Sequence, residues 1–545
     1  MPNQPAIDQS DATRPGIDLD ALAEMRQQVE AAVEQERTAL DLDERVQGFL
    51  SDEVLTALES NQDGDAFLFI RLFEDRFCFD HAVGQWYIWS GNFWVEDKLE
   101  EVIAAIESVV RIYERERQNQ RSLAQAAHSQ RRTEVAEEHE RSAQELKART
   151  KKLRSFQRKK DVLRIAAAGP RTLGVTGDEW DADPWLVACR NGVLDLSAGE
   201  LRNGRPDDYI KTVCPVNWEG IDKRAPNWER FLSDIFGGDE ELTAYIQRLL
   251  GYSITGITSE NVFHIFWGQG RNGKSTLMEA LGHILGPHAG PVRAEMLLQR
   301  SGPISSAGHN ADIMALRGKR FVWGSETDEG KSLDLARIKL LTGSDTLSGR
   351  PPYGRREISF TPTHKLILLT NHRPRADAYD EAFWHRLRLV PFVFSFVDEP
   401  KKVNDRRRDT ALGQKLKREA SGILAWLVRG CLAWQEQGLN PPSSVKAATQ
   451  EYRKDEDVLG RFIDTCCEEY VGARVQANLL YKVYRNWCRT NGHNPMSSTR
   501  FGKMMKDRLD HQKSSEMYYQ DIRLSEAAHL LLHPTEDLTD SDDDY

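Results

Sequence analysis

Residues 262–275 read Val-Phe-His-Ile-Phe-Trp-Gly-Gln-Gly-Arg-Asn-Gly-Lys-Ser and carry the strongest structural signal in this 545-residue chain. The first six are mostly apolar, as in a buried strand, and apolar residues recur at helical spacing from Leu277 to Leu285. The eight residues from Gly268 to Ser275 fit G-x-x-x-x-G-K-[ST], a pattern that binds phosphate where it joins a strand to a helix. The sequence therefore predicts a strand, a glycine-rich loop and a helix, and with them a nucleoside triphosphatase.

The residue types in this glycine-rich loop (residues 268–275) suit the binding of ATP with Mg²⁺. Glycines allow the backbone to curl so that successive N–H groups and the helix N-terminus face the phosphates. Lys274 can then reach the β and γ phosphates, the Ser275 hydroxyl can hold the metal ion, and Thr276 follows in the first helical turn. The predicted nucleotide-binding residues are Gly268, Gly270, Asn272, Gly273, Lys274, Ser275 and Thr276.

Two further strands supply the remaining groups of a predicted ATPase site. The apolar run 321–323 leads to Glu326, which we expect to hold Mg²⁺ and position water. Asp328 is a second candidate metal ligand, or else a solvated carboxylate at the strand end. The buried-strand run 365–369 leads to Asn371, which suits a sensor of the γ phosphate, although an Asn in a turn before proline is also expected here.

Two arginines follow in a strand-like run of alternating residues, 383–392. An arginine that reaches the γ phosphate of an adjacent subunit would stabilise the charge of the transition state. Arg386 is the first candidate for this arginine finger and Arg388 the second. Surface ion pairing is the alternative for both.

Composition limits the class of protein. The net charge is −11, so nucleic-acid binding has to come from local basic patches, and residues 111–160 hold fifteen Lys or Arg against seven Asp or Glu. That run suits either a DNA-facing arm or solvated and packing helix faces. Seven scattered cysteines indicate reduced thiols, and the absence of a signal core or long apolar run predicts a soluble cytoplasmic protein without membrane contact.

Changes in composition divide the chain into six predicted segments. The second segment is expected to contain strands at 67–73 and 85–89 and an uninterrupted helix over 97–166. In order, the segments are an acidic, partly disordered start (1–60), an α+β domain with a long basic helical region (61–229), an α/β ATPase domain (230–395), a helical lid or connector (396–440), a winged-helix-like domain (441–527) and an acidic tail (528–545).

The winged-helix prediction depends on a pattern near the C-terminus. One amphipathic helix covers 480–487, a turn follows at Asn491-Gly492, and Ser497 can cap a second helix. On that second helix Arg500 and Lys503 are expected to face a DNA groove, with residues 517–524 as the wing. Packing or dimerisation is the alternative use of such a basic face.

These motifs, in this order, resemble the superfamily 3 helicases, specifically the helicase part of the phage, plasmid and poxvirus-type primase-helicases. The resemblance covers about residues 65–395, more weakly to 527, and is carried by residues 191–195, 268–275, 318–327, 341–345, 360–365 and 370–372. It implies an α/β AAA-type ATPase core with a P-loop, between the α+β N-terminal region and the C-terminal winged-helix-like domain that the sequence patterns predict. It also implies a homohexameric ring that translocates 3′ to 5′ on single-stranded DNA.

The same resemblance places a DNA-contacting hairpin between the acidic strand and the sensor strand. A basic turn with an aromatic residue occupies that interval, and such a turn can pair with phosphates and stack on a base. Its candidate DNA-binding residues are Lys339, Arg350, Tyr353, Arg355 and Arg356. An ordinary exposed Pro-Gly hairpin is the alternative. The chain departs from many family members at Ser325, where a second acid is common, which leaves open which carboxylate activates water.

The sequence thus predicts a replicative DNA helicase of a phage, prophage or plasmid, acting in a bacterial cell on single-stranded or forked DNA. A polymerising primase would need paired carboxylates on strands with a supporting His. The first 60 residues are too short for such a domain, so we expect that a separate primase supplies priming where it is needed. A nucleic-acid-stimulated switch or scaffold ATPase in initiation, packaging or defence is the second hypothesis. An RNA helicase is the third.

Overall fold

The structure, a computed structural model, describes residues 41–299, 311–325, 330–350, 357–513 and 516–532. The chain forms two compact units. The first contains the described residues up to 182 together with 203–211, and the second contains 183–202 and the described residues from 212 onward. The predicted N-terminal domain extended to residue 229, so residues 183–202 and 212–229 belong instead with the nucleotide-binding part.

The first unit combines helices with a four-stranded sheet in the order β3-β2-β1-β4. Strands β1, β2 and β3 are antiparallel neighbours, and β4 pairs in parallel with β1. Its elements in chain order are α1 (Ser51–Glu59), α2 (Asn61–Phe73), β1 (Phe77–Asp80), β2 (Gln85–Trp89), β3 (Trp94–Glu96), α3 (Glu101–Ser129), α4 (Thr133–Leu153), α5 (Phe156–Ala166) and β4 (Gly174–Val175).

Two predictions for this unit were wrong. Residues 67–73 form the end of helix α2 rather than a strand, because Leu68, Phe69, Leu72 and Phe73 are buried at helical spacing while Phe67 is 50% exposed. The predicted helix over 97–166 is three helices, and the chain turns between α3 and α4 at Arg131, which has a φ of 57°. This turn uses neither Gly nor Pro, so composition could not reveal it.

The second unit contains a five-stranded parallel sheet in the order β10-β11-β14-β9-β15. These strands are β9 (Phe263–Trp267), β10 (Ala289–Val292), β11 (Phe321–Ser325), β14 (Lys365–Thr370) and β15 (Leu387–Pro391). All six residues of β14 are buried, as expected for a central parallel strand covered on both faces. The predicted α/β fold with a parallel sheet is therefore confirmed.

Helices and a smaller sheet surround these strands. The sheet has the order β7-β6-β5-β8, built from β5 (Leu186–Cys189), β6 (Gly192–Asp195), β7 (Glu200–Arg202) and β8 (Val213–Cys214). The helices are α6 (Pro226–Phe236), α7 (Glu240–Ser253), α8 (Lys274–Leu285), α9 (Leu335–Leu341), α10 (Glu381–Arg386), α11 (Leu412–Arg418), α12 (Ala420–Gln437) and α13 (Ser443–Glu456). A large cluster of buried side chains joins α6, α7, α8 and α12 to the sheets.

Two short strand pairs lie outside these sheets. Strands β12 (Leu347–Gly349) and β13 (Ile358–Phe360) are antiparallel. Strands β16 (Ser395–Val397) and β17 (Asp405–Arg407) are parallel. Because β17 lies within the predicted helical connector, that connector is helical only from Leu412, where α11 begins.

The C-terminal part of the second unit follows the order helix, strand, helix, helix, strand, strand, helix. Its elements are α14 (Val458–Cys466), β18 (Cys467–Gln476), α15 (Ala477–Thr490), α16 (Ser498–Lys506), β19 (His511–Lys513), β20 (Met517–Leu524) and α17 (Glu526–Leu532). The strands form an antiparallel sheet in the order β18-β20-β19. The Ser497 side chain accepts a hydrogen bond from the Arg500 N–H and so caps α16, as the sequence predicts.

All seven cysteines are free thiols, and six of them are buried. Burial raises the pKa of Cys189 to about 12, which keeps that thiol protonated at neutral pH. Within the described ranges, no helix is long and apolar enough to cross a membrane.

Candidate functional site

The glycine-rich loop connects the end of β9 to the start of α8 at the carboxyl edge of the parallel sheet. Gly273 precedes α8 with a φ of 85°, a conformation that favours glycine, and Lys274 is the first helical residue. The loop therefore leads directly into the N-terminus of a twelve-residue helix, where unpaired backbone N–H groups attract anions.

Neighbouring strands hold the loop in place through backbone hydrogen bonds. The Gly268 N–H donates to the Thr370 carbonyl at 3.2 Å, at the end of β14. The Phe396 N–H of β16 donates to the Arg271 carbonyl at 2.7 Å. Asn272 is 2% exposed, and its amide donates to the Gln269 carbonyl at 3.1 Å. The loop conformation is thus fixed by segments that lie about a hundred residues further along the chain.

Lys274 and Asn371 meet at this loop. The Lys274 ammonium donates to the Gly268 carbonyl at 2.6 Å and to Asn371 Oδ1 at 3.4 Å. Burial lowers the pKa of Lys274 to about 8, since desolvation penalises its charged form. A bound phosphate would offer the buried ammonium a counter-charge that its two present partners lack.

Asn371 is exposed and is oriented by the turn that follows β14. The Thr370 hydroxyl donates to the His372 carbonyl at 2.5 Å and accepts the His372 N–H at 3.2 Å. On the other side of β14, Ser325 ends β11 opposite Leu369. The chain therefore enters the acidic segment at the same sheet edge, while Glu326 and Asp328 themselves lie outside the described residues.

A cavity of about 490 Å³ lies next to the loop, and part of the predicted nucleotide-binding set lines it. Gly270 and Ser275 are exposed, and Gly273 and Thr276 line the cavity. Residues that the sequence analysis missed complete its wall, among them Phe231 of α6, Phe396 of β16 and Arg408. Nothing in their local sequence marks them, because they reach the loop only through the tertiary fold. The volume is within the range of small-ligand sites.

The two candidate finger arginines have partners in their own chain. Arg386 is the last residue of α10 rather than part of a strand, and its Nη1 donates to the Lys339 carbonyl at 3.0 Å and the Thr342 hydroxyl at 3.2 Å. Arg388 lies on β15, and its Nη1 donates to the His385 and Leu387 carbonyls. Within one copy of the chain, Arg386 therefore binds the C-terminal end of α9.

The predicted DNA-binding residues divide into exposed residues, residues paired with carboxylates, and residues outside the described part of the chain. Arg350 is exposed and follows β12, so it begins the connection between the antiparallel strands β12 and β13. Lys339 and Arg500 are held by carboxylates, Lys339 by Asp380 at 2.7 Å and Arg500 by Asp377 at 2.5 Å. Lys503 is exposed on α16. Tyr353, Arg355 and Arg356 lie outside the described residues.

Family comparisons match three parts of the chain. The D5 N-terminal-like family matches residues 66–237, the poxvirus D5 protein-like family matches 454–522, and a family of unknown function matches 266–386. These matches, together with the viral relatives below, confirm the resemblance to the poxvirus-type primase-helicases that the motifs indicated.

Curated relatives come from large DNA viruses, under names that mark the assignment as provisional. The chain is 30% identical over 327 residues to helicase L207/L206 of Acanthamoeba polyphaga mimivirus, covering 57% of this chain and 34% of that protein. It is 24% identical over 397 residues to helicase 022R of Frog virus 3, covering 59% and 40%. Primase C962R of African swine fever virus is 24% identical over 327 residues, covering 57% and 34%. The chain spans only about a third of the length of the first of these relatives.

Solved structures of the NrS-1 C-terminal region are also similar. One apo structure is 12% identical with a TM-score of 0.43 and covers 84% of this chain and 99% of that one. Another, the A form, is 13% identical with a TM-score of 0.41 and covers 71% and 76%.

Proposed function

We propose that this chain, a relative of the poxvirus-type primase-helicases, is the ATP-driven helicase of a replicating virus or mobile element. It works as a ring on single-stranded or forked DNA, with 3′ to 5′ translocation. One observation carries the proposal: Lys274 and Asn371 meet at a glycine-rich loop on the carboxyl edge of a parallel sheet. The names of the viral relatives support a role in DNA replication.

ATP occupies the glycine-rich loop with its phosphates at the N-terminus of α8, and the loop acts as the P-loop of an AAA-type core. Lys274 holds the β and γ phosphates, and Asn371 orients the γ phosphate or the attacking water. Ser275, Glu326 and Asp328 would hold Mg²⁺, which would supply positive charge next to the phosphate oxygens. The cavity beside Phe231 and Phe396 receives the nucleoside.

DNA contacts two elements of the second unit. The basic sequence that follows Arg350 lies in the chain between the antiparallel strands β12 and β13, and we expect its arginines to pair with phosphates and Tyr353 to stack on a base. The helix and strand order of the C-terminal part supports the proposal of a winged helix, in which α16 acts as the recognition helix. Lys503 is exposed and can contact phosphate there, whereas Arg500 first has to leave Asp377.

The first test measures ATP hydrolysis with and without single-stranded DNA, together with the mass in solution with a nonhydrolysable nucleotide. A ring whose ATPase is stimulated by DNA supports the helicase, and stronger stimulation by RNA points to an RNA helicase. A monomer that hydrolyses ATP but ignores nucleic acid contradicts the proposal and supports a switch ATPase.

A strand-displacement assay then separates unwinding from DNA-stimulated hydrolysis alone. We expect Lys274→Ala to abolish displacement and hydrolysis together, because the phosphates lose their cation. The double variant Arg355→Ala/Arg356→Ala should lose displacement while retaining DNA-independent hydrolysis. If Lys274→Ala and Arg355→Ala/Arg356→Ala both still displaced strands, the glycine-rich loop would be excluded as the motor.

A further inference from the structure

A stripe of one aromatic and two basic side chains runs along one face of α5 in the first unit. Phe156, Lys160 and Arg164 are each four residues apart, so they lie on the same side of the helix. All three are exposed, Phe156 by 57%, and the Lys160 ammonium lies 4.4 Å from the centre of the Phe156 ring. A large aromatic side chain left exposed beside the Lys160 ammonium has no role in the core of this unit.

The stripe leads into a cavity of about 580 Å³. Lys160 and Arg164 line one side of it, and Phe79 and Trp86, with ring centres 5.1 Å apart, line another. His81 also lines the cavity, with Nε2 2.7 Å from the Ala167 carbonyl. The cavity therefore combines aromatic rings on its strand side with two cations on its helix side.

The acidic residues of this cavity lie next to the start of α3. Asp97 and Glu100 line it, and both oxygens of the Asp97 carboxylate accept backbone N–H groups, from Glu101 at 2.9 Å and Val102 at 3.0 Å. Asp97 thus caps α3. An anionic ligand would avoid this side of the cavity and approach along α5.

We propose that this stripe and cavity, here called the α5 stripe (Phe79, Trp86, Phe156, Lys160 and Arg164), bind single-stranded nucleic acid. Bases stack on Phe156 and on the Phe79 and Trp86 rings, and phosphates pair with Lys160 and Arg164. Interleaved aromatic and cationic side chains are the general means of binding single strands without sequence preference. The positive excess of residues 111–160, in a chain with a net charge of −11, adds charge complementarity.

This second strand-binding surface rests on the proposed function only for its biological setting, since its chemistry is independent of ATP. The sequence left two uses open for the basic run 111–160, a DNA-facing arm or solvated and packing helix faces, and the α5 stripe selects between them. The contact with nucleic acid is made by one defined face of α5, while other basic residues of the run bind carboxylates, as Arg158 and Arg149 bind Asp65.

The test measures binding of a fluorescein-labelled oligothymidylate to the full chain by anisotropy, without nucleotide, over a range of salt concentrations. We expect Lys160→Glu/Arg164→Glu to weaken binding at least roughly tenfold and to reduce the slope of log affinity against log salt by about 1.4, for two phosphates on a single strand. Phe156→Ala should weaken binding by roughly fivefold or more with an unchanged slope, because it removes a stacking surface.

The matched control is Lys151→Glu/Lys152→Glu, which makes the same charge change at two exposed positions of α4 outside the stripe. If both double variants lose affinity equally, or if neither does, the α5 stripe is overturned. Circular dichroism and DNA-independent ATP hydrolysis should match wild type in every variant, which separates lost binding from lost folding. Competition with oligouridylate then tells whether RNA also occupies the stripe.

The two proposals can fail separately. A chain that shows no ATP hydrolysis but loses oligonucleotide binding in Lys160→Glu/Arg164→Glu supports the stripe and contradicts the helicase. A chain that hydrolyses ATP and binds DNA with no dependence on Phe156, Lys160 or Arg164 contradicts the stripe and leaves the helicase intact.

Discussion

Gly268 and Gly270 both belong to the glycine-rich loop, yet only one of them has no room for a side chain. A Cβ on Gly268 would lie 2.2 Å from the Phe392 carbonyl and 2.4 Å from the Asn272 amide, whereas a Cβ on Gly270 would meet nothing within 4 Å. Glycine at position 268 therefore allows the close approach of the loop to the end of β15, where the Phe392 N–H donates to the Trp267 carbonyl at 2.7 Å.

We expect Gly268→Ala to reduce the free energy of unfolding by about 1–3 kcal/mol, because the loop has to move away from the Phe392 carbonyl. Gly270→Ala should stay within about 0.5 kcal/mol of wild type, as for an open surface position. Denaturant unfolding of the two variants measures the difference. Equal stability of the two variants would show that the loop does not hold this conformation in solution.

At the scale of elements, helices α7 and α12 cross unusually closely. A Cβ on Gly251 of α7 would lie 2.1 Å from the Cys431 backbone nitrogen, and a Cβ on Gly430 of α12 would lie 2.1 Å from the Gln247 carbonyl. The two glycines occupy facing positions, so the helix backbones touch where other residues would hold them apart. This crossing belongs to the large core that supports the glycine-rich loop.

Gly251→Ala and Gly430→Ala should each lower the free energy of unfolding by about 1–3 kcal/mol through overpacking. Gly502→Ala is the control, because it is also helical but a Cβ there meets nothing within 4 Å. That control should gain about 0.5–1 kcal/mol, since alanine has less backbone freedom to lose on folding. Thermal unfolding of the three variants measures these differences in stability. If Gly502→Ala were destabilised as well, the losses at the helix crossing could not be assigned to overpacking.

Helix α16 provides a second prediction at this scale. Lys503→Glu should weaken binding to forked DNA by roughly fivefold, as expected for the loss of about one phosphate contact and the addition of one repulsion. Lys482→Glu, an equally charged change at an exposed position of α15, is the control and should change affinity less than twofold, which is within about 0.5 kcal/mol. Similar losses in both variants would indicate general attraction rather than docking of α16.

The assembly can be tested at the scale of the whole molecule through Arg386. Within one chain this arginine binds the C-terminal end of α9, so its removal has a structural cost of about 1 kcal/mol and, if it is the finger, a catalytic cost of about a thousandfold or more. We expect Arg386→Ala to bind nucleotide nearly normally and to lose hydrolysis. Normal hydrolysis in this variant would move the finger elsewhere.

Mixing two inactive variants distinguishes a finger acting in trans from a structural arginine. Arg386→Ala retains Lys274, and Lys274→Ala retains Arg386, so a mixed ring contains interfaces with both groups intact. We expect ATP hydrolysis to reappear in the mixture and to depend on protein concentration. No recovery in mixtures of confirmed mass would assign Arg386 to the support of α9.

Local sequence determined the strand, glycine-rich loop and helix of residues 262–285, because a short apolar run, glycines and helical spacing are properties of neighbouring residues. The same reasoning found the buried strand 365–370 and the capped helix that begins after Ser497. Because parallel strands end at one edge of a sheet, it also placed Asn371 near Lys274, although 97 residues separate them.

Only the tertiary structure decided the features that depend on packing between distant segments. The apolar side chains of residues 67–73 could belong to a strand or to a helix. The tertiary structure buries one helical face of this segment, and that burial selected the helix. The turn at Arg131 forms without Gly or Pro between α3 and α4. The same holds for the backbone hydrogen bonds from Phe392 and Phe396 to residues 267 and 271, for the partners of Arg386 and for the α5 stripe. Each of these joins segments that are distant in sequence, and local periodicity does not relate such segments. Sequence patterns record what each residue prefers beside its neighbours, whereas these contacts were selected by the free energy of the whole fold.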